Sequence, residues 1–264
     1  MARLDWPEFS DQAWLPSGLR RGITSYLDAM HDFVGSPRFW APVAATLLRR
    51  TGETKVVDLC SGSGGPARRL RHELLRSHGL EVGITLTDLF PDASDVARIN
   101  AAPDEGLRYF PRPIDAGHVP GELTGARMMI CGFHHLPMKV ADHVLADAVK
   151  TRRALMIFEV TDRDLLSILT ALFITPFLVL LLTPRIRPLH ASTLLWTYLI
   201  PVLPLMIAWD HLASCMRTHS KRNLERMAKA HAQSDYVWEV GKIGPRWLPV
   251  RWPYLVGRAV ELAS

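Results

Sequence analysis

The chain carries two kinds of hydrophobic pattern in succession. In the first 50 residues apolar positions recur every three or four residues, over 18–34 and 37–50, which predicts two helices. From residue 54 onwards, short runs of apolar and β-branched residues predict buried strands at 55–60, 81–89, 127–133 and 153–160. Helical periodicity returns between these runs, at 64–79, 91–102 and 137–151. Strands that alternate with helices predict an α/β fold with a parallel sheet.

The last hundred residues depart from this alternation. Two uncharged runs, Leu165–Pro184 and Ala191–Trp209, are each close to the roughly 20 residues that a helix needs to cross a bilayer. Prolines at 176, 201 and 204 are expected to kink them. Residues 236–264 read as two strands joined by a Gly/Pro-rich turn, so a terminal β-hairpin is predicted.

Composition adds limits to this picture. With 264 residues, 48% of them hydrophobic and 22% charged, the chain can bury one sizeable core with an insertion. A net charge of +5 permits a nucleic-acid or anionic-membrane partner without requiring one. Three cysteines without a CxxC pair, and no apolar run behind the N-terminal arginine, predict a reduced protein in the cytoplasm or on the inner face of the membrane.

A glycine turn follows the first predicted strand. The run from Gly62 to Ala67 fits G-x-G-x-x-A, which aims a helix N-terminus and bare backbone N–H groups at an electron-rich ligand. Asp58 lies just before this turn, where its charge would oppose a pyrophosphate. About fifty residues also precede the strand, whereas dinucleotide folds usually start with it. A carboxylate there favours a cationic ligand with an amino group, such as S-adenosylmethionine, over a nicotinamide dinucleotide.

Two further acidic residues come after later strands. Asp88 follows the second strand, 24 residues after Gly64, where a carboxylate can accept from both ribose hydroxyls. Asp115 follows a possible third strand at 107–113, where it could accept from an adenine amino group. Each residue alone could be a solvated turn residue, but three in order, each after its own strand, favour a cofactor site.

At these positions the sequence resembles a known family. The stretches "VVDLCSGSGG", "TLTDLFPD", "PIDAGHVP" and "CGFHHLP" are similar to motifs I to IV of class I S-adenosylmethionine-dependent methyltransferases, over residues 54–160. A bacterial branch of that superfamily is similar over most of the chain and shares "DQAWLP" and "WDHLASCMRTHS". The resemblance implies an enzyme with a Rossmann-like three-layer α/β sandwich. Its sheet would have seven strands, mostly parallel with an antiparallel last strand, and an apolar helical insertion would follow strand 5.

The resemblance also assigns the cofactor site. The residues that it implies for binding S-adenosyl-L-methionine are Asp58, Cys60, Gly62, Gly64, Asp88, Leu89, Asp115 and Ala116. One position departs from the family pattern, because Cys60 stands where the first glycine of motif I is usual. We interpret Cys60 as a small buried packing residue rather than a nucleophile.

His134 and His135 follow the fourth strand and are the candidate catalytic residues. Histidine titrates near neutral pH, so either one could accept the proton of a hydroxyl or ammonium acceptor. The alternative is that both only shape the loop. No metal site is predicted, because the side chains of adjacent residues are expected to point apart and no cysteine or carboxylate cluster accompanies them.

These patterns divide the chain into four parts. Residues 1–50 are expected to form a helical lid, 51–160 the cofactor-binding core, 161–235 the apolar hairpin with a further helix, and 236–264 the hairpin that completes the sheet. The lid candidates are Trp14, Arg20, Arg21 and Tyr26, with one arginine pairing the methionine carboxylate of the cofactor. A solvated helix face with an aromatic anchor is the other interpretation of these four residues.

The apolar insertion suggests the acceptor, which we expect to be an apolar or lipid-like small molecule. Residues 165–209 either contact the membrane or cap a hydrophobic pocket in a soluble enzyme. Arg185 and Arg187, between the two runs, favour a re-entrant or interfacial hairpin over a double crossing. A non-catalytic binding scaffold and an RNA methyltransferase are the alternative functions. A nucleic-acid partner is not expected, because no basic surface interleaved with aromatic residues is evident.

Overall fold

A computed structural model describes residues 3–102, 106–245 and 250–260. Part of the predicted hairpin turn (246–249), the chain end (261–264) and the first two residues of the predicted lid lie outside the described residues. The chain divides into two units. One comprises Pro37–Val160, Ser220–Ile243 and Trp252–Ser264, and the other comprises Met1–Ser36, Thr161–His219 and Gly244–Arg251. The range predicted as a lid, 1–50, therefore contributes to both units.

The first unit contains a sheet with seven strands in the described residues. These are β1 (Lys55–Asp58), β2 (Gly83–Leu86), β3 (Leu107–Tyr109), β4 (Ala126–Ile130), β5 (Leu155–Phe158), β6 (Tyr236–Ile243) and β7 (Trp252–Ala259). Their order across the sheet is β3-β2-β1-β4-β5-β7-β6. The first five strands pair in parallel, whereas β7 pairs antiparallel with both β5 and β6. The predicted fold class, including the terminal hairpin and its antiparallel strand, is confirmed.

Helices cover both faces of this sheet. In chain order the α-helices of the described residues are α1 (Ser17–Val34), α2 (Pro37–Thr51), α3 (Gly65–His78), α4 (Ala93–Asn100), α5 (Met138–Thr151), α6 (Leu165–Leu169), α7 (Thr175–Leu182), α8 (Ala191–Leu194), α9 (Val202–Arg217) and α10 (Lys221–Ala230). Helices α2, α3 and α4 pack on one face, and α5 and α10 pack on the other. Neighbouring strand residues alternate between the two cores, as Val56 and Val57 do, because side chains along a strand point to opposite faces.

A glycine and a proline, Gly64 and Pro66, shape the start of α3. Gly64 is the residue before the helix and has a φ of 77°, a left-handed conformation that favours glycine. A Cβ at Gly64 would also stand 2.5 Å from Cδ1 of Leu86 on β2. Pro66 in the first turn has no N–H to leave unsatisfied, so it suits the helix start. The turn therefore brings the N-terminus of α3 close to the carboxyl ends of β1 and β2.

The second unit packs α1 against the apolar insertion. Its core includes Ile23 and Tyr26 from α1, Leu182 from α7 and Leu203 from α9. The buried carboxylate of Asp210 accepts hydrogen bonds from the backbone N–H groups of Phe9 and Ser10, at 2.6 and 3.0 Å.

Three of the four lid candidates have contacts within this unit, and the ring of Trp14 packs edge-on against Phe9 with centroids 6.3 Å apart. Tyr26 is a core residue of this unit. Arg20 donates to the carbonyls of Ser10 and Gln12, at 2.6 and 2.5 Å. These contacts hold the segment that precedes α1.

The two apolar runs are helical but differ in shape. The first is a continuous helix over Leu165–Arg185, with a π-helical segment at Thr170–Ile174 and a 3₁₀ turn at its end. By length and composition this helix could cross a membrane, and only 28% of its most apolar 18-residue stretch is buried. Core helices of soluble proteins can meet the same length and composition criteria. The second run bends by 82° between Ala191–Leu199 and Val202–Arg217, close to Pro201 as predicted.

Candidate active site

The order of the strands places a crevice at one edge of the sheet. Strand order runs outward from β1 through β2 to β3 on one side, and from β4 to β5 on the other. In such sheets ligands bind outside the carboxyl ends of the strands at the point where the order reverses. Here that point lies between β1 and β4. Asp58 ends β1, Asp88 follows β2, and His134 follows β4, so the topology brings the candidate residues to this edge.

Asp58 is a buried carboxylate with an unsatisfied oxygen atom and a raised pKa. Its Oδ1 atom is fully buried and accepts no hydrogen bond from the described residues. Burial, reinforced by the nearby charge of Asp88 and opposed by a hydrogen bond from Ser61, raises the pKa of Asp58 to about 7. A buried acceptor without a donor is costly for a protein fold. The arrangement therefore suits a ligand that brings its own donor, and a positive charge would suit it best.

The glycine turn is tied to the strand beside it. The backbone N–H of Gly62 donates to Oδ2 of Asp88 at 2.9 Å, and the carbonyl of Gly62 accepts from the Tyr109 hydroxyl at 2.8 Å. Ser61 bridges the same two loops, since its N–H donates to the Thr87 carbonyl and its Oγ accepts from the Thr87 N–H. These bonds fix the turn, with Gly62 at a φ of 50°.

Cys60 adopts a left-handed backbone conformation, with a φ of 56°. This explains why glycine is usual at the position, because only glycine takes that conformation without steric cost. Its thiol is partly buried near three carboxylates, and burial followed by the charges of Asp88, Asp58 and Asp115 raises its pKa to about 12. A thiol that stays protonated at neutral pH is a poor nucleophile. The geometry supports the interpretation of Cys60 as a packing residue.

Asp88 and Asp115 belong to successive loops that are bonded together. The backbone carbonyl of Asp88 accepts from the N–H of Ile114 at 2.8 Å, next to Asp115. Oδ1 of Asp88 accepts from the N–H of Phe90 at 3.0 Å, and Oδ1 of Asp115 accepts from the N–H of Gly117 at 2.8 Å. That last bond is the main reason why the pKa of Asp115 lies below its usual value.

The two apolar residues predicted in these loops differ in exposure. Leu89, beside Asp88, is exposed, whereas Ala116, beside Asp115, is buried. A larger side chain could not replace Ala116 without displacing its neighbours.

His134 is paired with a carboxylate that the sequence reasoning did not single out. Glu159 follows β5, and both residues are buried. The Nδ1 atom of His134 lies 2.7 Å from Oε2 of Glu159, and the backbone N–H of His134 donates to Oε1 at 3.1 Å. A carboxylate oxygen accepts at Nδ1, so that nitrogen carries a proton and Nε2 is the atom that can gain or lose one.

His135 lies close to His134, contrary to the prediction that their side chains point apart. Their ring centroids are 4.2 Å apart with a 38° angle between planes. The prediction was wrong because it rested on adjacency alone, and successive side chains point to opposite sides only in extended chain. The segment Phe133–His135 is a 3₁₀ turn instead. A single signal could have revealed Glu159, namely its position directly after the fifth strand, at the same edge as the other carboxylates.

The fold and the position of this crevice define the class of structure. The strand order, the antiparallel β7 and the glycine turn after β1 are those of the class I S-adenosylmethionine-dependent methyltransferase fold, so the resemblance in sequence motifs is confirmed at the level of fold. Among solved structures, the chain is similar to the plantazolicin methyltransferase BpumL in complex with SAH, with a TM-score of 0.60. That match has 11% sequence identity and covers 96% of this chain and 94% of BpumL.

A second BpumL structure gives a consistent match. BpumL in complex with a monoazolic desmethylPZN analog and SAH matches with a TM-score of 0.56 and 11% identity, covering 92% of this chain and 90% of the other. No protein-family model and no curated protein sequence matches the chain. At this level of identity the similarity shows a shared fold.

Proposed function

We propose that this protein is an S-adenosylmethionine-dependent methyltransferase. The observation that carries the proposal is the buried Oδ1 of Asp58, an acceptor without a donor among the described residues, at the strand-order reversal and directly before the glycine turn. A cationic amino group of a ligand would satisfy this acceptor. BpumL, which shares the fold, was solved with SAH bound.

The remaining residues of the crevice suit the other parts of such a cofactor. Asp88 keeps lone pairs beyond the two that accept from Gly62 and Phe90, and these are available to ribose hydroxyls. Asp115 is held by Gly117 and can accept from an adenine amino group. The left-handed turn at Gly62 and Gly64 lets the backbone approach the ligand closely. When bound, S-adenosylmethionine supplies an electrophilic methyl group.

His134 is the proposed general base. Glu159 holds Nδ1 of His134 at 2.7 Å and so fixes the ring, and Nε2 is the proposed acceptor of the proton of an acceptor hydroxyl or ammonium group. The carboxylate also stabilises the imidazolium that this step produces. Glu159 is therefore a positioning residue, and His134 is the residue that meets the acceptor.

We propose an apolar small molecule as the acceptor. Three exposed apolar side chains flank the candidate residues in sequence, namely Leu89 and Phe90 after Asp88, and Met138 after the His134 turn. Apolar groups beside a few polar ones are typical of small-molecule sites. We further propose that the protein acts in the cytoplasm, where its three free cysteines stay reduced.

Methyl transfer from radiolabelled S-adenosylmethionine to an organic-solvent extract of bacterial cells tests this proposal. The wild-type protein should label an extractable compound, and His134→Gln should lower the rate by about 10²–10⁴-fold while keeping its affinity for S-adenosylhomocysteine. His72→Gln, on the exposed face of α3, is the matched control and should act as wild type. Cofactor binding without transfer to any fraction would instead indicate a non-catalytic binding protein.

A further inference from the structure

The apolar insertion buries several of its hydroxyl-bearing residues and exposes most of its large apolar ones. Along the helix Leu165–Arg185 the buried positions recur about every four residues and alternate between polar and apolar residues, namely Ser167, Ala171, Thr175, Val179, Leu182 and Thr183. The exposed large apolar side chains of the same helix are Leu165, Leu166, Leu169, Leu172, Phe173, Ile174, Phe177, Leu180 and Leu181. Soluble helices show the opposite arrangement, with leucine and phenylalanine turned inward.

The second half of the insertion repeats this reversal. Thr193 and Thr197 are buried, with 3% and 0% of their surface exposed. The neighbouring side chains Leu194, Leu195, Tyr198, Leu199 and Ile200 are exposed, Leu199 by 76%. The reversal therefore continues from the first run into residues 191–200 of the second, as expected for a surface that faces an apolar medium rather than water.

Several of the buried hydroxyl groups find their partners inside the same unit. Oγ1 of Thr175 lies 2.7 Å from Nδ1 of His211, and Oγ1 of Thr183 donates to the carbonyl of Val179 at 2.7 Å. The exposed Tyr198 hydroxyl donates to the carbonyl of Leu180 at 2.6 Å, which links the two runs. Polar groups that are satisfied internally do not need water, which is the requirement for a segment in contact with lipid. Oγ1 of Thr197 is an exception, because it is buried without a hydrogen-bond partner among the described residues.

The charges of the insertion have a single sign. From residue 165 to 209 the sequence contains no aspartate or glutamate, and its only arginines, Arg185 and Arg187, are both exposed in the link between the two runs. Anionic phospholipid headgroups attract such cations by about 1 kcal/mol each. The surface thus combines a broad apolar face with cations alone, which is complementary to an anionic bilayer surface.

We propose that residues 165–209 dock on the surface of an anionic phospholipid bilayer. The exposed Leu, Ile and Phe side chains enter the acyl region of one leaflet, while Arg185 and Arg187 stay at the level of the phosphates. The 82° bend in the second run and the two arginines in the link favour helices that lie along the interface over helices that cross it. Docking itself does not depend on the cofactor. Delivery of a lipid-soluble acceptor by this surface rests on the proposed function.

Flotation of the full-length protein with vesicles tests the proposal. Wild type should float with vesicles of phosphatidylcholine containing about 30% phosphatidylglycerol, and less with phosphatidylcholine alone or at high salt. The double variant Phe177→Glu/Leu181→Glu should lower the floated fraction by about tenfold or more, because it places charges in the acyl region. Leu75→Glu changes an exposed leucine of α3, outside the insertion, and should float as wild type.

Further readouts separate the outcomes. S-adenosylhomocysteine affinity and thermal melting of the double variant should match wild type, which shows that the variant is folded. The proposal is overturned if the wild-type protein does not bind vesicles and sediments as a dimer, while the double variant sediments as a monomer. A second copy of the chain would then cover the surface. Flotation that survives the double substitution would overturn it as well. If the wild-type protein floats with the vesicles but does not bind S-adenosylhomocysteine, the docking proposal is supported and the proposed function is contradicted.

Discussion

Replacing Asp58 by asparagine should stabilise the protein while impairing cofactor binding. Burial raises the pKa of this carboxyl from 3.8 to about 7, so above pH 7 the folded state carries an ionised group that its surroundings penalise. The unfolded chain has no such penalty. Removing the charge should therefore favour the folded state, because the isosteric amide keeps the shape of the side chain.

The magnitude follows from the size of the pKa change. A rise of about 3 units corresponds to about 4 kcal/mol of destabilisation once the group is fully ionised. The buried amide of the variant still lacks a partner, which costs about 1–3 kcal/mol. A net gain of about 1–3 kcal/mol in the free energy of unfolding at pH 8 is the expected result.

The effect has a defined pH dependence. A carboxyl whose pKa is raised in the folded state binds a proton there that the unfolded chain has already lost, so wild type loses stability as pH rises from about 4 through 7. Asp58→Asn lacks this loss. The difference in unfolding free energy between variant and wild type should therefore grow by about 2–3 kcal/mol between pH 5 and pH 8.

Urea unfolding at the two pH values measures this difference. Asp115→Asn is the matched control, because the pKa of Asp115 is lowered rather than raised and its removal should bring no gain. The reasoning is refuted if Asp58→Asn is no more stable than wild type at pH 8, or if its gain is the same at both pH values. S-adenosylhomocysteine should bind the variant more weakly than wild type, since the carboxylate proposed for the cofactor amino group is gone.

Three other substitutions and one thiol reagent probe the crevice. The Cys60 thiol, with a pKa of about 12, should react with iodoacetamide far more slowly at pH 8 than free cysteine in solution does. Cys60→Gly should keep S-adenosylhomocysteine binding and raise the melting temperature, because glycine adopts the left-handed φ at this position without strain. Gly64→Ala should destabilise the protein by about 1 kcal/mol or more and weaken cofactor binding in titration calorimetry, since its Cβ would meet Leu86. Glu159→Gln should lower kcat for methyl transfer and shift its pH profile with little change in S-adenosylmethionine affinity, whereas a purely structural role would change stability alone.

The fold could be predicted because its signals are local and periodic. Buried strands such as β4, and helices such as α5, each follow their own hydrophobic pattern, and the seven-stranded arrangement then followed from the resemblance of the motifs. The carboxylates Asp58 and Asp88 could be placed because a parallel sheet gathers its carboxyl ends at one edge. The hydrophobic pattern of each element and the position of a carboxylate directly after a strand can both be read from the sequence.

Other features depend on contacts in the folded structure that the hydrophobic pattern of the sequence does not predict. The pairing of His134 with Glu159 joins residues 25 positions apart in sequence, and the 4.2 Å approach of the His134 and His135 rings depends on a 3₁₀ turn. The reversed polarity of the insertion was also hidden, because uncharged runs look alike whichever side is buried. Only the structure separates the buried Thr175 from the exposed Phe177.

Titration calorimetry of S-adenosylhomocysteine into the wild-type protein tests the central claim most directly. The account predicts saturable binding at one site per chain, no competition from NADH, and a loss of about 1–3 kcal/mol of binding free energy in Asp88→Asn, because an amide replaces one acceptor of the proposed ribose contacts. Absence of binding to wild type, or affinity unchanged in Asp88→Asn, would contradict the placement of the cofactor at the glycine turn.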